Sequence, residues 1–327
     1  MKPLLSTTSA VLSAMLLANV SSADVTLKDL PGKVRVEIDG QLLTEYCYQG
    51  ADHVYFYPLI GPGGAPMTRS WPMEEAPNEE HDHPHHRSLW FAHGMVNGVD
   101  FWSEAASHRG KTPPPLGKIV HREFLRKESS KDRAILRDRL DWVAPDGTSL
   151  LTSEQQLTVH QPKNETRVLD FEVQLKANQS AVTLGDTKEG SMAIRIAESM
   201  RLTAPAKKPG LGHILASNGK TDADVWGSRA EWVDMYGPVA GKTVGIAILD
   251  HPKNPRHPTR WHARSYGLFA ANPFCEHEMD KSQPKDSGTL KFEPGQSLTF
   301  RYRIVLHPDA PQPARIQAEY DSFRSIP

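Results

Sequence analysis

Alternation of apolar and polar residues, repeated in segment after segment, is what most limits how this chain can fold. Residues 34–38 (Val-Arg-Val-Glu-Ile) alternate, Asp39-Gly40 offers a tight turn and residues 42–48 resume, which predicts a hairpin. Further strands are predicted at 54–59, ended by the Gly-Pro-Gly-Gly of 61–64, at 119–127, at 134–143 and, after the Pro145-Asp146-Gly147 turn, at 150–160. Within 134–143, Leu136, Leu140 and Trp142 fall on one face and Arg137, Arg139 and Asp141 on the other. Leu169, Phe171, Val173 and Leu175 share a face, as do Leu298, Phe300, Tyr302, Ile304 and Leu306. Residues 244–249 are apolar throughout, as a central strand would be. Helical periodicity of useful length is confined to 314–323. Many short strands joined by turn chemistry predict an all-β fold, a large antiparallel β-sandwich with few short helices. No fixed-period repeat marks the chain as a propeller or a solenoid.

The first 23 residues are set apart from this pattern. Lys2, an apolar run at 11–20 and the small residues Ser21-Ser22-Ala23 predict a signal peptide cleaved before Asp24. That leaves 24–327 as a single β-sandwich domain, exported to the periplasm or beyond. No later segment approaches eighteen apolar residues, so no membrane insertion is expected after cleavage. A net charge of −1 and a pI of about 7.0 give no reason to expect nucleic acid as a partner. Cys47 and Cys275 are the only cysteines, and export leaves open whether they are bridged or separate buried thiols. Without a CxxC pair, a thiolate zinc site or a redox motif is excluded.

Chemistry concentrates in residues 81–102, HDHPHHRSLWFAHGMVNGVDFW. Five of the fifteen histidines (His81, His83, His85, His86 and His93) lie within thirteen residues there, interleaved with aromatics. Imidazoles beside aromatic rings suit two tasks, gripping a metal or holding and protonating a sugar. His83 and His85, two apart on an extended backbone, point to the same side and are candidate ligands of a divalent metal, with His93, Glu189 or His257 to complete the set. Without a metal, His83, His86 and His93 are candidate acid/base groups. Arg69 and Arg87 would then fix a substrate oxygen, the alternative for Arg87 being an ion pair with Asp82 or Glu104. Trp90 is a candidate stacking face.

Two later segments add to the set. Asp186, Lys188 and Glu189 occupy a turn before a strand at 192–197, where Glu189 is a candidate general base. His257, Trp261, His262, Arg264 and Tyr266, followed by Asn272, form a second polar-aromatic cluster able to bind a sugar ring. The candidate catalytic residues are therefore His83, His86, His93, Glu189 and His257. The candidate substrate-binding residues are Arg69, Arg87, Trp90, Trp261, His262, Arg264 and Asn272. The His83–His86 loop, Glu189 and the 257–264 segment are expected to converge on one concave face. No nucleophile elbow, phosphate-binding glycine loop or dinucleotide fingerprint is present.

Four blocks in order, residues 56–73, 82–102, 185–201 and 257–274, resemble the secreted bacterial proteins labelled "PmoA family". The oxygenase activity in that label is not expected here, because a methane monooxygenase subunit is an integral membrane protein. The expected sandwich is also similar to that of galactose mutarotases, whose pattern of an arginine, a His-Gly segment, a later histidine and an acid would fall on Arg69, His93-Gly94, His257 and Glu189. The expected function is an exported carbohydrate-active enzyme using His/Glu acid/base chemistry for epimerisation, elimination or hydrolysis of a sugar or sugar derivative. The alternative is a non-catalytic carbohydrate-binding or surface interaction protein. The clustered histidines favour the enzyme, since binding alone needs aromatics and amides more than titrating groups.

Overall fold

The computed structural model describes residues 24–326, apart from Arg109 and Lys111; the expected signal peptide lies outside the described residues. Two eight-stranded antiparallel sheets dominate. In spatial order the first runs Val25–Leu30, Lys33–Ile38, Gln41–Cys47, Tyr55–Phe56, Leu89–His93, Gly190–Arg195, Leu268–Asn272 and Arg260–Ala263. The second runs His213–Ala216, Trp232–Val239, Lys242–Asp250, Ser297–Pro308, Arg167–Ala177, Ser149–His160, Arg133–Val143 and Lys118–Ser129. One apolar cluster draws on both sheets, with Phe56, Phe91 and Met192 from the first and Leu140, Phe171, Phe300 and Ile304 from the second. The all-β antiparallel sandwich expected from alternation is the fold observed.

Local chemistry explains the details. Asp39 and Gly40 both take positive φ (51° and 71°), as a two-residue hairpin turn requires. The wholly apolar run 244–249 is buried on both faces. Ile246 and Ile248 face the cluster between the sheets, while Ala247 and Leu249 face Ile316, Tyr320 and Phe323 of the helix Pro313–Arg324. Spaced four and three apart, those three residues make one apolar helix stripe.

One strand is added, one expectation changes and one open question is answered. The strand Val25–Leu30, next to the apolar N-terminal run, went unread. The strand expected at 54–59 shrinks to Tyr55–Phe56, since Pro58 has no N–H for a ladder. Cys47 and Cys275 are separate buried thiols, both pushed up by burial.

Candidate functional site

The sheet containing Leu89–His93 and Gly190–Arg195 carries loops that meet over a cavity of about 560 Å³. His83, His85, His86, Asp100, Ser103, Ser107, His108, Lys188, Glu189, His262, Arg264 and Tyr266 line it, from four separate parts of the chain. The volume falls in the range of small-molecule sites. A smaller hollow of about 340 Å³ adjoins it, shares His83, His85 and Ser107, and is walled by Trp71 stacked on His81 at 4.0 Å.

The His83 loop is held from beneath by two arginines with no exposed surface, Arg69 and Arg195. Arg69 donates to the carbonyls of Trp71, Glu80, Asp82 and His83 and to Asp82 Oδ1, which occupies all five of its N–H groups. Arg195 reaches Asp82 Oδ1 at 3.0 Å and His86 Nδ1 at 3.3 Å. Buried, yet hydrogen-bonded to His83 and flanked by both arginines, the Asp82 carboxyl is held far below the usual range. Its Oδ2 lies 2.6 Å from His83 Nδ1.

These partners fix the tautomers, because a carboxylate or carbonyl only accepts and a guanidinium only donates. His83 donates from Nδ1 to Asp82, so its neutral ring carries a lone pair on Nε2. His86 accepts on Nδ1 from Arg195, so its proton sits on Nε2. His262 donates from Nδ1 to the Lys188 carbonyl at 2.7 Å, leaving Nε2 as an acceptor. Burial holds His262 down to about 4, and burial together with His85 and Arg195 holds His86 well below its ordinary value. Both rings are therefore neutral near pH 7. The rings of His86, His83 and Tyr266 are nearly parallel, with centroids 4.7 and 5.1 Å apart.

The turn presenting Glu189 is clamped in the same manner. His93 Nε2 donates to the Gly185 carbonyl at 2.9 Å, Asn272 Nδ2 to Thr187 at 2.9 Å, and His262 to Lys188. Asp186 accepts from the backbone N–H groups of His277 and Gly288. Glu189 itself has no ion-pair or hydrogen-bond partner for its carboxyl among the described residues, and burial raises its pKa. The environments of Asp82 and Glu189 thus push two carboxyls of one site apart, the arrangement that separates acid from base.

Measured against expectation, the structure brings His83, His85, His86, Glu189, His262 and Arg264 together and leaves seven candidates elsewhere. His257 is a correction. Its Nδ1 lies 2.8 Å from Asp250 and its Nε2 accepts from Tyr320 at 3.3 Å, so it joins the second sheet to the helix instead of facing the cavity. Arg69 is likewise no ligand contact, having no donor left. His93 is buried in its strand, held down to about 4, and supports the Glu189 turn, as does Asn272. Arg87 forms a two-pronged ion pair with Glu104, at 2.7 and 2.9 Å. Trp90 and Trp261 have no exposed surface and offer no sugar face. His83 and His85, the candidate metal ligands, have ring centroids 5.8 Å apart and direct Nδ1 at Asp82 and Ser107. Among the described residues no three His, Cys, Asp or Glu side chains stand grouped to hold a metal ion.

Arg195 and Asp100 went unread. Arg195 sits in Gly190–Arg195, a strand buried at every position, and a lone charge in such a strand was the signal available. Asp100 accepts from the Trp102 and Ser103 N–H groups within a loop whose histidines and tryptophans drew the reading.

A family model matches residues 33–321. The chain belongs to DUF6807, a family of unknown function. No curated protein is matched by the sequence. Among solved structures it is similar to a galactose mutarotase related enzyme from Lactobacillus acidophilus, at 8% identity over 86% of this chain and 97% of that one, with a TM-score of 0.34. It is also similar to a GalM/aldose epimerase homologue from C. elegans, at 7% identity over 89% and 100%, with a TM-score of 0.33. A 4-alpha-glucanotransferase from Thermococcus litoralis is matched at 9% identity over 87% of this chain and 39% of that one, with a TM-score of 0.30. Likenesses this distant decide nothing about activity, and the architecture rests on the strand pairing itself. No helix among the described residues is long and apolar enough to cross a membrane.

Proposed function

We propose that this member of DUF6807 is a carbohydrate-active enzyme that moves protons on a sugar bound in the 560 Å³ cavity. The observation that carries the reading is the Asp82–His83 pair, 2.6 Å apart and anchored by two buried arginines, in the same cavity as a carboxyl with a raised pKa and no partner among the described residues. His83 Nε2 is the proton acceptor, with Asp82 orienting the ring and stabilising the imidazolium that forms. Glu189, protonated more readily than an exposed glutamate, is the donor. His86 Nε2–H donates a hydrogen bond to a substrate oxygen, and His262 Nε2 accepts one from a substrate hydroxyl. Epimerisation, elimination and glycoside hydrolysis all need one group that takes a proton and one that gives it. With residues 1–23 read as a signal peptide, the reaction takes place outside the cytoplasm. Methane oxidation has no part in this reading.

The test is proton NMR of the purified protein with a panel of pyranoses and oligosaccharides, which reports anomeric exchange, a new alkene or a new reducing end. The native protein should produce one of these signals, and folded His83→Ala or Glu189→Gln should produce none. Activity should fall as pH rises through the raised Glu189 pKa, because the donor must be protonated. Sugar binding that is flat between about pH 5 and 8 without turnover would make the protein a binder rather than an enzyme.

A further inference from the structure

Two cations of the cavity are unmatched. Arg264 and Lys188 both line it, and neither forms a salt bridge among the described residues, although the Glu189 carboxyl is near enough to feel both charges. Arg264 lies over the rings of Trp226 and Tyr266, at 5.6 and 5.4 Å, and its hydrogen bonds among the described residues are made by its backbone alone. Stacking on two rings restricts a side chain that is otherwise costly to order, and leaves the edge of the guanidinium, where its N–H groups are, for a ligand. Elsewhere in the site the arginines are matched: Arg69 and Arg195 share Asp82, and Arg87 holds Glu104.

Charge settles what the edge awaits. The lining holds Lys188 and Arg264 against Asp100 and Glu189, and Glu189 is the acid whose pKa burial raises. Behind it, Arg69, Arg195 and Arg201 are balanced by the carboxylates of Asp82, Glu198 and Glu80, so the supporting layer adds no excess. With Glu189 protonated as the proton donor, a neutral sugar would leave one positive charge of the lining unmatched. A dianionic phosphate would meet Asp100 as well as the cations. One carboxylate on the sugar balances the excess and matches the planar fork of an arginine.

Building on the sugar reading above, we infer that the substrate is a sugar bearing a carboxylate, bound through Arg264 with Lys188 beside it. Arg264 is then the specificity-determining residue of the site, and the acid of the sugar is what distinguishes substrate from its neutral counterparts.

The experiment is calorimetric binding of glucuronic and galacturonic acids and their short oligomers, each beside its methyl ester, which keeps the shape and removes the charge. Glucose, galactose and glucose 6-phosphate complete the panel. The native protein should bind at least one acid about tenfold or more tightly than its ester, the scale of a charge-assisted pair. Arg264→Gln should erase that preference, weakening the acid by a larger factor than the ester. Arg264→Lys, with the charge but not the fork, should restore part of it. Lys188→Gln, at an exposed position, serves as a second variant that leaves packing alone and should reduce the preference by a smaller factor. Thermal melting confirms that each variant is folded. Esters bound as tightly as acids, a preference that survives Arg264→Gln, or glucose 6-phosphate bound more tightly than any uronate would overturn the inference. Neutral sugars bound and uronates refused would overturn it while the sugar reading stands. No binding by any member of the panel would remove both.

Discussion

Two Asp–His clusters in this molecule look alike in residue type and differ in what they leave over. In the first, Asp250 accepts from Asn254 Nδ2 at 2.7 Å, from the Thr259 N–H at 2.9 Å and from His257 Nδ1 at 2.8 Å, while His257 Nε2 takes the Tyr320 hydroxyl. Both His257 nitrogens and both Asp250 oxygens are occupied, and the cluster pins the helix Pro313–Arg324 to the second sheet. In the second, Asp82 is equally well bonded, but the far nitrogens of His83, His86 and His262 and the carboxyl of Glu189 have no hydrogen-bond partner among the described residues. These groups line one cavity with hydrogen-bonding capacity left over, and together they mark a place for a ligand. What separates His257 from the cavity histidines is not its neighbour in sequence but that both of its nitrogens are already taken.

The contrast breaks most visibly under mutation. His83→Ala should lower sugar turnover by about a hundred- to ten-thousand-fold, the usual worth of a positioned base. The unfolding free energy should change by less than about 0.5 kcal/mol, as for other partly exposed loop side chains. Asp250→Ala should do the reverse, lowering stability by about 3–5 kcal/mol because it strips a buried network of its acceptor, while turnover per folded molecule is unchanged. Denaturant unfolding and NMR turnover on the same samples check both. If Asp250→Ala abolished turnover in the folded protein, the two clusters would not be separate.

Acid provides a smaller effect. His93 and His262 have folded pKa values of about 4 against an unfolded value near 6.5. Above the unfolded value neither state binds the proton and their contribution is fully present. As pH falls the unfolded chain takes up protons that the native rings refuse, so stability is lost down to the folded value. Each ring should account for roughly 3 kcal/mol of this loss. The raised carboxyls of Glu189 and Glu198 act in the opposite direction, so the check is a difference. Unfolding free energies of native protein and His93→Gln, measured at pH 7 and 4.5, should show a shallower fall in the variant. Smallest of all, His81→Ala should cost less than about 0.5 kcal/mol and leave turnover alone, since this half-exposed ring only stacks on Trp71 and meets the exposed Glu75.

Alternation made the long strands legible. Residues 134–143 and 150–160 each differ by one residue from Arg133–Val143 and Ser149–His160 at their starts, because one face had to be buried. Loop chemistry made His83, Glu189, His262 and Arg264 legible as one group. Roles inside the group were not. Arg69, His93 and Asn272 have the residue types of ligand contacts, but their donors are occupied by backbone carbonyls of the very loops they support. Sequence shows which atoms can bond, not which bonds the fold has already made. His257 was misplaced for the same reason, since its partner Tyr320 lies 63 residues away in the C-terminal helix.

The most direct test follows the Cε1–H signals of the histidines by NMR as a bound sugar from the panel is added to the native protein. His83, His86 and His262 should shift as their far nitrogens meet the ligand, while His257 and His307, held by Asp250 and Asp234, should stay in place. Shifts at His257 or His307 with the three cavity histidines unmoved would contradict the account.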